Sequence, residues 1–255
     1  LRFARDDGYA FSFPSSRPER RRREVEGPFL TAQQNPLGIL MLDTRFPRIV
    51  GDVGNAGSYD FPVIFRRMEG IGSADAVAAH PDRPRVLAAL KANAEALATE
   101  GAIGLGTSCG FLALYQADLA AVSPVPVATS ALLHIAKLPQ RRVGVITASA
   151  KNLTPAHFAA VGAPGDTPVV GLPEESSFAA TFLRNGLTLD REAVEREVVA
   201  AGLDLLAKYP AVDTVVLECT NLPPYKKALE KALGLPVLDV LDLLKHFYRE
   251  VSARR

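Results

Sequence analysis

Ala102-Ile-Gly-Leu-Gly-Thr-Ser-Cys109-Gly110 and Val212-Asp-Thr-Val-Val-Leu-Glu-Cys219-Thr220 each run from a short apolar strand pattern into a cysteine, at an offset of 110 residues. The same offset places Tyr115 on Tyr225, Pro126 on Pro236, Val127 on Val237 and Leu133 on Leu243. Both of the chain's two cysteines thus fall in register together with a Tyr and a Pro, which chance does not easily produce. Each half reads strand, Cys, helix, Pro-Val strand, helix, with the helices after the cysteines expected over 111–121 and 223–233.

Working outward, the continuous apolar run over 37–42 ends in Asp43-Thr44-Arg45, the pattern of a strand buried on both faces with a polar loop at its carboxyl end. Further strands are expected at 63–65, 102–105, 126–128, 143–147, 167–170, 214–217 and 236–238, with helical patterns between most of them. Alternation of this kind predicts an α/β protein with one parallel sheet, or two, covered by helices. Residues 46–62, with Gly51, Gly54 and Gly57 three apart, show no helical period. A loop that long is often functional.

Composition narrows the function class. The chain has 255 residues, 48% hydrophobic and 22% charged, which fits a globular protein rather than a disordered or membrane one. Residues 1–30 hold seven Arg and five acids, so the rest carries 22 basic against 23 acidic residues and is electrically neutral. A dedicated nucleic-acid binder is therefore not expected. Arg20 to Arg23 lie beside Pro18, Glu19, Glu24 and Glu26. The first 34 residues accordingly read as a mobile, solvated arm. No apolar stretch follows the arginines as in a secretory signal, and no run of about 18 apolar residues offers a bilayer span. A cytoplasmic location is expected.

Two cysteines form no disulfide framework, and no C-x-x-C or Cys/His cluster suggests a metal. His80, His134, His157 and His246 lack metal-ligand spacing and read as surface or packing residues. The partial dinucleotide pattern Gly104-Leu-Gly106 meets Cys109 where its third glycine belongs, and no Gly-Lys-Ser/Thr occurs. No cofactor is expected.

Both cysteines sit where a strand gives way to a helix, the usual place for ligands in an open α/β sheet. A helix N-terminus there favours a thiolate and predicts a lowered cysteine pKa. Two thiols flanking one cleft suit removal of a proton from one face of a carbon acid and return of one to the other. Thr220 and Asn221 can cradle a carboxylate or merely cap a helix. Thr147 and Ser149 present the same two readings. Asp43 can support a base, and Arg45 can hold a substrate carboxylate or lie free on a surface loop. Strand alternation is expected to turn Glu218 away from Cys219.

Thr107-Ser108-Cys109-Gly110, Leu217-Glu218-Cys219-Thr220-Asn221, the repeat and the Gly38-Ile-Leu start resemble the aspartate/glutamate racemase superfamily over residues 36 to about 250. The resemblance implies two pseudo-symmetric flavodoxin-like lobes with parallel sheets and the active site in the cleft between them. The lobes would span 35–135 and 136–245, followed by the end of a C-terminal helix over 246–255. It also implies cofactor-independent racemisation or epimerisation of a small carboxylate, such as an amino acid, with Cys109 and Cys219 as the two bases. Asp43, Thr44, Arg45, Thr107, Ser108, Gly110, Thr147, Ser149, Thr220 and Asn221 would bind the substrate. Gly110-Phe111 and Asn221 stand where glutamate racemases have Asn-Thr and His, so glutamate itself is not the expected substrate. Hydantoin racemase, a maleate-type cis-trans isomerase and a non-catalytic two-lobed binding protein remain as alternatives. Neither nucleic acid nor membrane is an expected partner, and a homodimer or higher homo-oligomer stays open.

Overall fold

A computed structural model describes residues 35–254 of the chain. The expected arm therefore lies outside the described residues. In chain order the strands are β1 (Leu37–Leu42), β2 (Val63–Met68), β3 (Gly104–Thr107), β4 (Val127–Ala128), β5 (Val143–Thr147), β6 (Val169–Gly171), β7 (Thr214–Leu217) and β8 (Val237–Leu238). The α-helices are α1 (Ser73–Ala76), α2 (Arg83–Thr99), α3 (Gln116–Val122), α4 (Leu133–Ala136), α5 (Pro155–Ala159), α6 (Arg191–Lys208), α7 (Lys226–Leu233) and α8 (Val240–Ser252).

Two four-stranded parallel sheets result, ordered β2-β1-β3-β4 and β6-β5-β7-β8. The second repeats the topology of the first, as the duplicated sequence requires. Every residue of β1, β3, β5 and β7 is buried, which is why these strands read as unbroken apolar runs rather than alternating ones. The edges are kept short at β4 and β8 and charged at β2, where Arg66 and Arg67 stand.

Helices follow from spacing and caps. In α2 the buried residues are Val86, Leu90, Ala94 and Leu97, and in α6 they are Val194, Val198, Ala201, Gly202 and Leu205, one stripe per helix. Asp82 and Asp190 cap the two helices by accepting the N–H of Arg85 and Ala193. The helix expected after each cysteine begins instead as a tight 3₁₀ segment, Gly110–Tyr115 and Pro223–Tyr225, before α3 and α7. All six residues of the first segment are buried, so the narrower coil carries the chain through the interior. Tyr115 and Tyr225, in register in the repeat, are both fully buried.

The last helix joins the halves. Gly104 and Gly106 leave β3 without side chains where α8 lies: an added Cβ would sit 2.9 Å from Phe247 and 2.7 Å from Leu244. The end of the second repeat thus packs on the first sheet. The described residues form one compact unit. No described helix is long and apolar enough to cross a membrane.

Candidate active site

The loops after β3 and β7 meet at the carboxyl ends of their sheets. Thr220 Oγ1 donates to the Ser108 carbonyl at 2.6 Å, across 112 residues of sequence. Gly110 lies so close to the other loop that a Cβ there would stand 2.1 Å from the Glu218 carbonyl oxygen and 2.2 Å from Glu218 Oε1. This contact brings Cys109 and Cys219 to the walls of one cavity, together with Ser108, Gly110, Glu218, Thr220 and Asn221.

The cavity is narrow and largely enclosed. Its roof consists of Phe46 from the loop after β1, Ser73 and Val77 around α1, and Phe182 and Leu183 from a one-turn π-helix, Ala179–Leu183. Phe46 and Phe182 meet edge to face with centroids 4.9 Å apart. Ser73 Oγ donates to the Phe182 carbonyl at 3.0 Å. The Arg45 N–H donates to Asn185 Oδ1 at 2.7 Å, and Asn185 holds a left-handed backbone with φ 56° to receive it. About 20 Å³ remains inside, room for little more than one water. A substrate must part the roof to enter.

Electrostatics inside depart from the sequence expectation. Cys109 is N-terminal to a helical turn, and the N–H groups of Phe111 and Leu112 do favour its thiolate. Burial, with the Glu218 carboxylate second, outweighs them and pushes the thiol up to about 12. Burial and Glu218 likewise raise Cys219 well above its ordinary value. The expected lowered pKa is therefore corrected for this narrow cavity. Desolvation of an anion in a nearly dry site exceeds what one short helical turn can return.

Glu218 is the second departure. Its N–H is still held by the Ile146 carbonyl at 2.9 Å, yet Glu218 lines the cavity beside Cys219, fully buried, where the Gly110 loop lies against it. Thr147 Oγ1 donates to its Oε2 at 2.7 Å, while Oε1 has no partner. Burial raises its carboxyl to about 7, against the smaller opposing pull of Thr147 and the Ala148 N–H.

Other candidates lie further out. Thr44 and Arg45 line an outer cleft of about 500 Å³ with Arg48 and Arg67, sharing Leu42 and Phe46 with the thiol cavity. Asp43 accepts the Gly70 N–H at 3.0 Å and faces Arg67. Thr107 is buried beneath the site, donating to the Thr129 carbonyl at 2.6 Å. Thr147 reaches the cavity only through Glu218, and Ser149 lines a neighbouring cleft with Asn152 and Lys151. Another cleft of about 500 Å³ lies at the opposite end of the second sheet, around Val143, Pro168 and Tyr209, and none of the candidate residues lines it. His157 is a packing residue, edge-on to Phe111. Among the described residues no three His, Cys, Asp or Glu side chains converge as a metal would require.

Sequence reasoning did not single out Phe46, Ser73, Phe182 or Asp52. Only the lengthy loop 46–62 carried a signal, and it delivers two of them.

A profile of the Asp/Glu/Hydantoin racemase family matches residues 68–245. The chain belongs to that family. A dimethylsulfoniopropionate lyase from Durusdinium sp. clade D is 27% identical over 241 residues, covering 90% of this chain and 79% of the relative. Dimethylsulfoniopropionate lyase 5 of Emiliania huxleyi is 32% identical over 222 residues, covering 82% of this chain; the chain spans 44% of that protein's length. Among solved structures, allantoin racemase from Klebsiella pneumoniae superposes with a TM-score of 0.56 at 15% identity, covering 85% of this chain and 88% of that one. The two-lobed α/β fold expected of the family is the fold observed.

Proposed function

We propose that this racemase-family enzyme is a cofactor-independent lyase of the cytoplasm that cleaves dimethylsulfoniopropionate at its two-cysteine site, with Cys109 as the base. The observation that carries the carbon-acid chemistry is the convergence of Cys109 and Cys219 on one narrow cavity. The choice of substrate is supported by the relatives that align over most of the chain. The cavity's lining is consistent with it. Phe46, Phe111 and Phe182 offer aromatic surface to an onium cation, and Glu218 offers a carboxyl that such a cation would help to ionise. Ser108 Oγ accepts the Leu42 N–H at 2.8 Å, which leaves its own proton for a substrate carboxylate oxygen.

The reaction needs one base. A sulfonium entering the cavity offsets the desolvation that raises the Cys109 thiol, so the substrate itself favours the thiolate. Cys109 takes the proton from the carbon next to the carboxylate. The C–H electron pair forms the carbon–carbon double bond, and the adjacent carbon–sulfur bond breaks with its pair remaining on sulfur. Dimethyl sulfide and acrylate form, and Cys109 returns its proton to solvent.

Headspace analysis for dimethyl sulfide and NMR for acrylate, with the chain supplied with dimethylsulfoniopropionate, test this reading. Cys109→Ser is expected to lower turnover by several orders of magnitude, since a serine hydroxyl is hardly ionised near pH 7. A second reading, racemisation of a small amino acid or related carboxylate, is favoured by the placement of both thiols on duplicated loops. Absence of dimethyl sulfide, with loss of optical rotation from an amino-acid panel and deuterium uptake from D2O, would replace the lyase by the racemase.

A further inference from the structure

The 46–62 loop brings one buried acid to the second half of the molecule. Asp52 is 2% exposed, and its Oδ2 accepts from Asn221 Nδ2 at 2.7 Å across 169 residues of sequence. Its Oδ1 accepts Arg48 Nη1 and the Gly54 N–H, each at 2.7 Å. Arg48 is itself fixed by a bond from Nη2 to Thr44 Oγ1 at 3.0 Å. An ionised carboxylate only accepts, so the amide end that meets Asp52 is the NH2. The carbonyl end of Asn221 is thereby turned to Cys219, whose Sγ lies 3.6 Å from Oδ1. A carbonyl can take the S–H proton of a thiol and has nothing to give a thiolate.

Cys109 lacks such a partner. Backbone N–H groups favour the anion at both cysteines, but among the described residues no side-chain carbonyl is bonded to Cys109 Sγ, so the asymmetry lies in the Asn221 carbonyl. Two thiolates facing one carboxylate substrate would repel it and each other, so a division of labour between the cysteines has a physical use.

We propose that Asp52 is a positioning residue: by fixing the Asn221 amide it keeps Cys219 protonated and leaves Cys109 as the sole base of the pair. This rests on the reading of the two thiols as the proton-transfer groups. The titratable groups facing Cys219 are Glu218, Cys109 and Asp52, with Arg48 behind Asp52. Losing the Asp52 charge and losing the Asn221 carbonyl act in the same direction on Cys219, toward easier ionisation. Neither Asp52 nor Asn221 is among the groups that raise or lower the Cys109 thiol.

The test is alkylation by iodoacetamide across a pH series on the full chain, with each cysteine followed by peptide mass spectrometry. Wild type is compared with Asp52→Asn, in which the Asn221 amide can reverse, and with Asn221→Ala, which removes the carbonyl and keeps the Asp52–Arg48 pair. In both variants the Cys219 curve is expected to move to lower pH by about one unit, about tenfold faster reaction at a fixed pH below the plateau, while the Cys109 curve stays. If Asp52→Asn does not fold, Asn221→Ala decides. A Cys219 curve that stays in place in a folded variant, or moves together with that of Cys109, overturns the proposal. Should Cys219 respond as expected while Cys109→Ser turns over normally, Cys109 is not the base, the proposed function's chemistry fails with it, and only the control of Cys219 by Asp52 and Asn221 stands. If Cys109 is needed for turnover and the Cys219 curve does not move, only the relay fails.

Discussion

Glu218→Gln replaces the buried carboxyl by a neutral group of the same shape. The change isolates one charge, because a glutamine carbonyl can still accept from Thr147 and from the Ala148 N–H. Burial raises the folded-state carboxyl from 4.5 to about 7. At about 1.4 kcal/mol per pH unit, ionising it in the native protein costs on the order of 3 kcal/mol. Below pH 4.5 the acid is neutral in both folded and unfolded chains, and its favourable contribution is fully present. As pH rises from 4.5 through 7 the unfolded chain has lost this proton while the folded one still holds it, so stability falls, and above about 7 the loss is complete. Glutamine has no proton to lose. Urea unfolding between pH 4 and 8.5 is therefore expected to show the variant gaining on wild type by about 3 kcal/mol across that window, with similar stabilities at the acid end. The same charge raises both thiols. The acid limb of the variant's pH–rate profile should accordingly move to lower pH. Parallel stability curves between pH 4.5 and 7 would refute the account of Glu218 as a carboxyl kept neutral by burial.

Two further changes probe the closure of the site. Gly110→Ala puts a methyl group 2.1 Å from the backbone oxygen of Glu218, which cannot rotate away, so the two cysteine loops must separate. Displacement of about 1 Å is enough for a loss of about 100-fold in turnover, measured by the product assay, with circular dichroism to confirm the fold. Phe182→Ala removes a ring that is 4% exposed and packs against Phe46 and Phe178 at 4.9 and 4.8 Å. Its urea midpoint should fall by the equivalent of about 3 kcal/mol, and iodoacetamide should reach both cysteines faster than in wild type. Unchanged alkylation would show that Phe182 is no part of the roof.

The architecture was legible because its signals are local. A strand buried on both faces must be apolar throughout, which exposed 37–42, 143–147 and 214–217, and a duplicated motif shows itself by comparison of the chain with itself. Cysteines after two such strands had to lie at the carboxyl ends of two sheets, where α/β proteins place their sites. The family reading of the fold followed from those same residues. Helix starts were less legible: the 3₁₀ segments after each cysteine depend on the space left between packed layers, which the helical period does not encode.

What only the tertiary structure decided is the environment of the thiols. Phe46, Phe182, Ser73 and Asp52 come from segments with no periodic tie to either cysteine, and they become part of the site when the halves close on each other. Strand alternation reads Glu218 as turned away from the site, and it lines the cavity because the loop of the other half lies against it. The acidity of both cysteines departs from the sequence expectation for a related reason. A helix N-terminus is a property of the chain and can be read from it. The cost of keeping an anion out of water depends on how completely distant segments exclude the solvent, and sequence order does not contain that quantity.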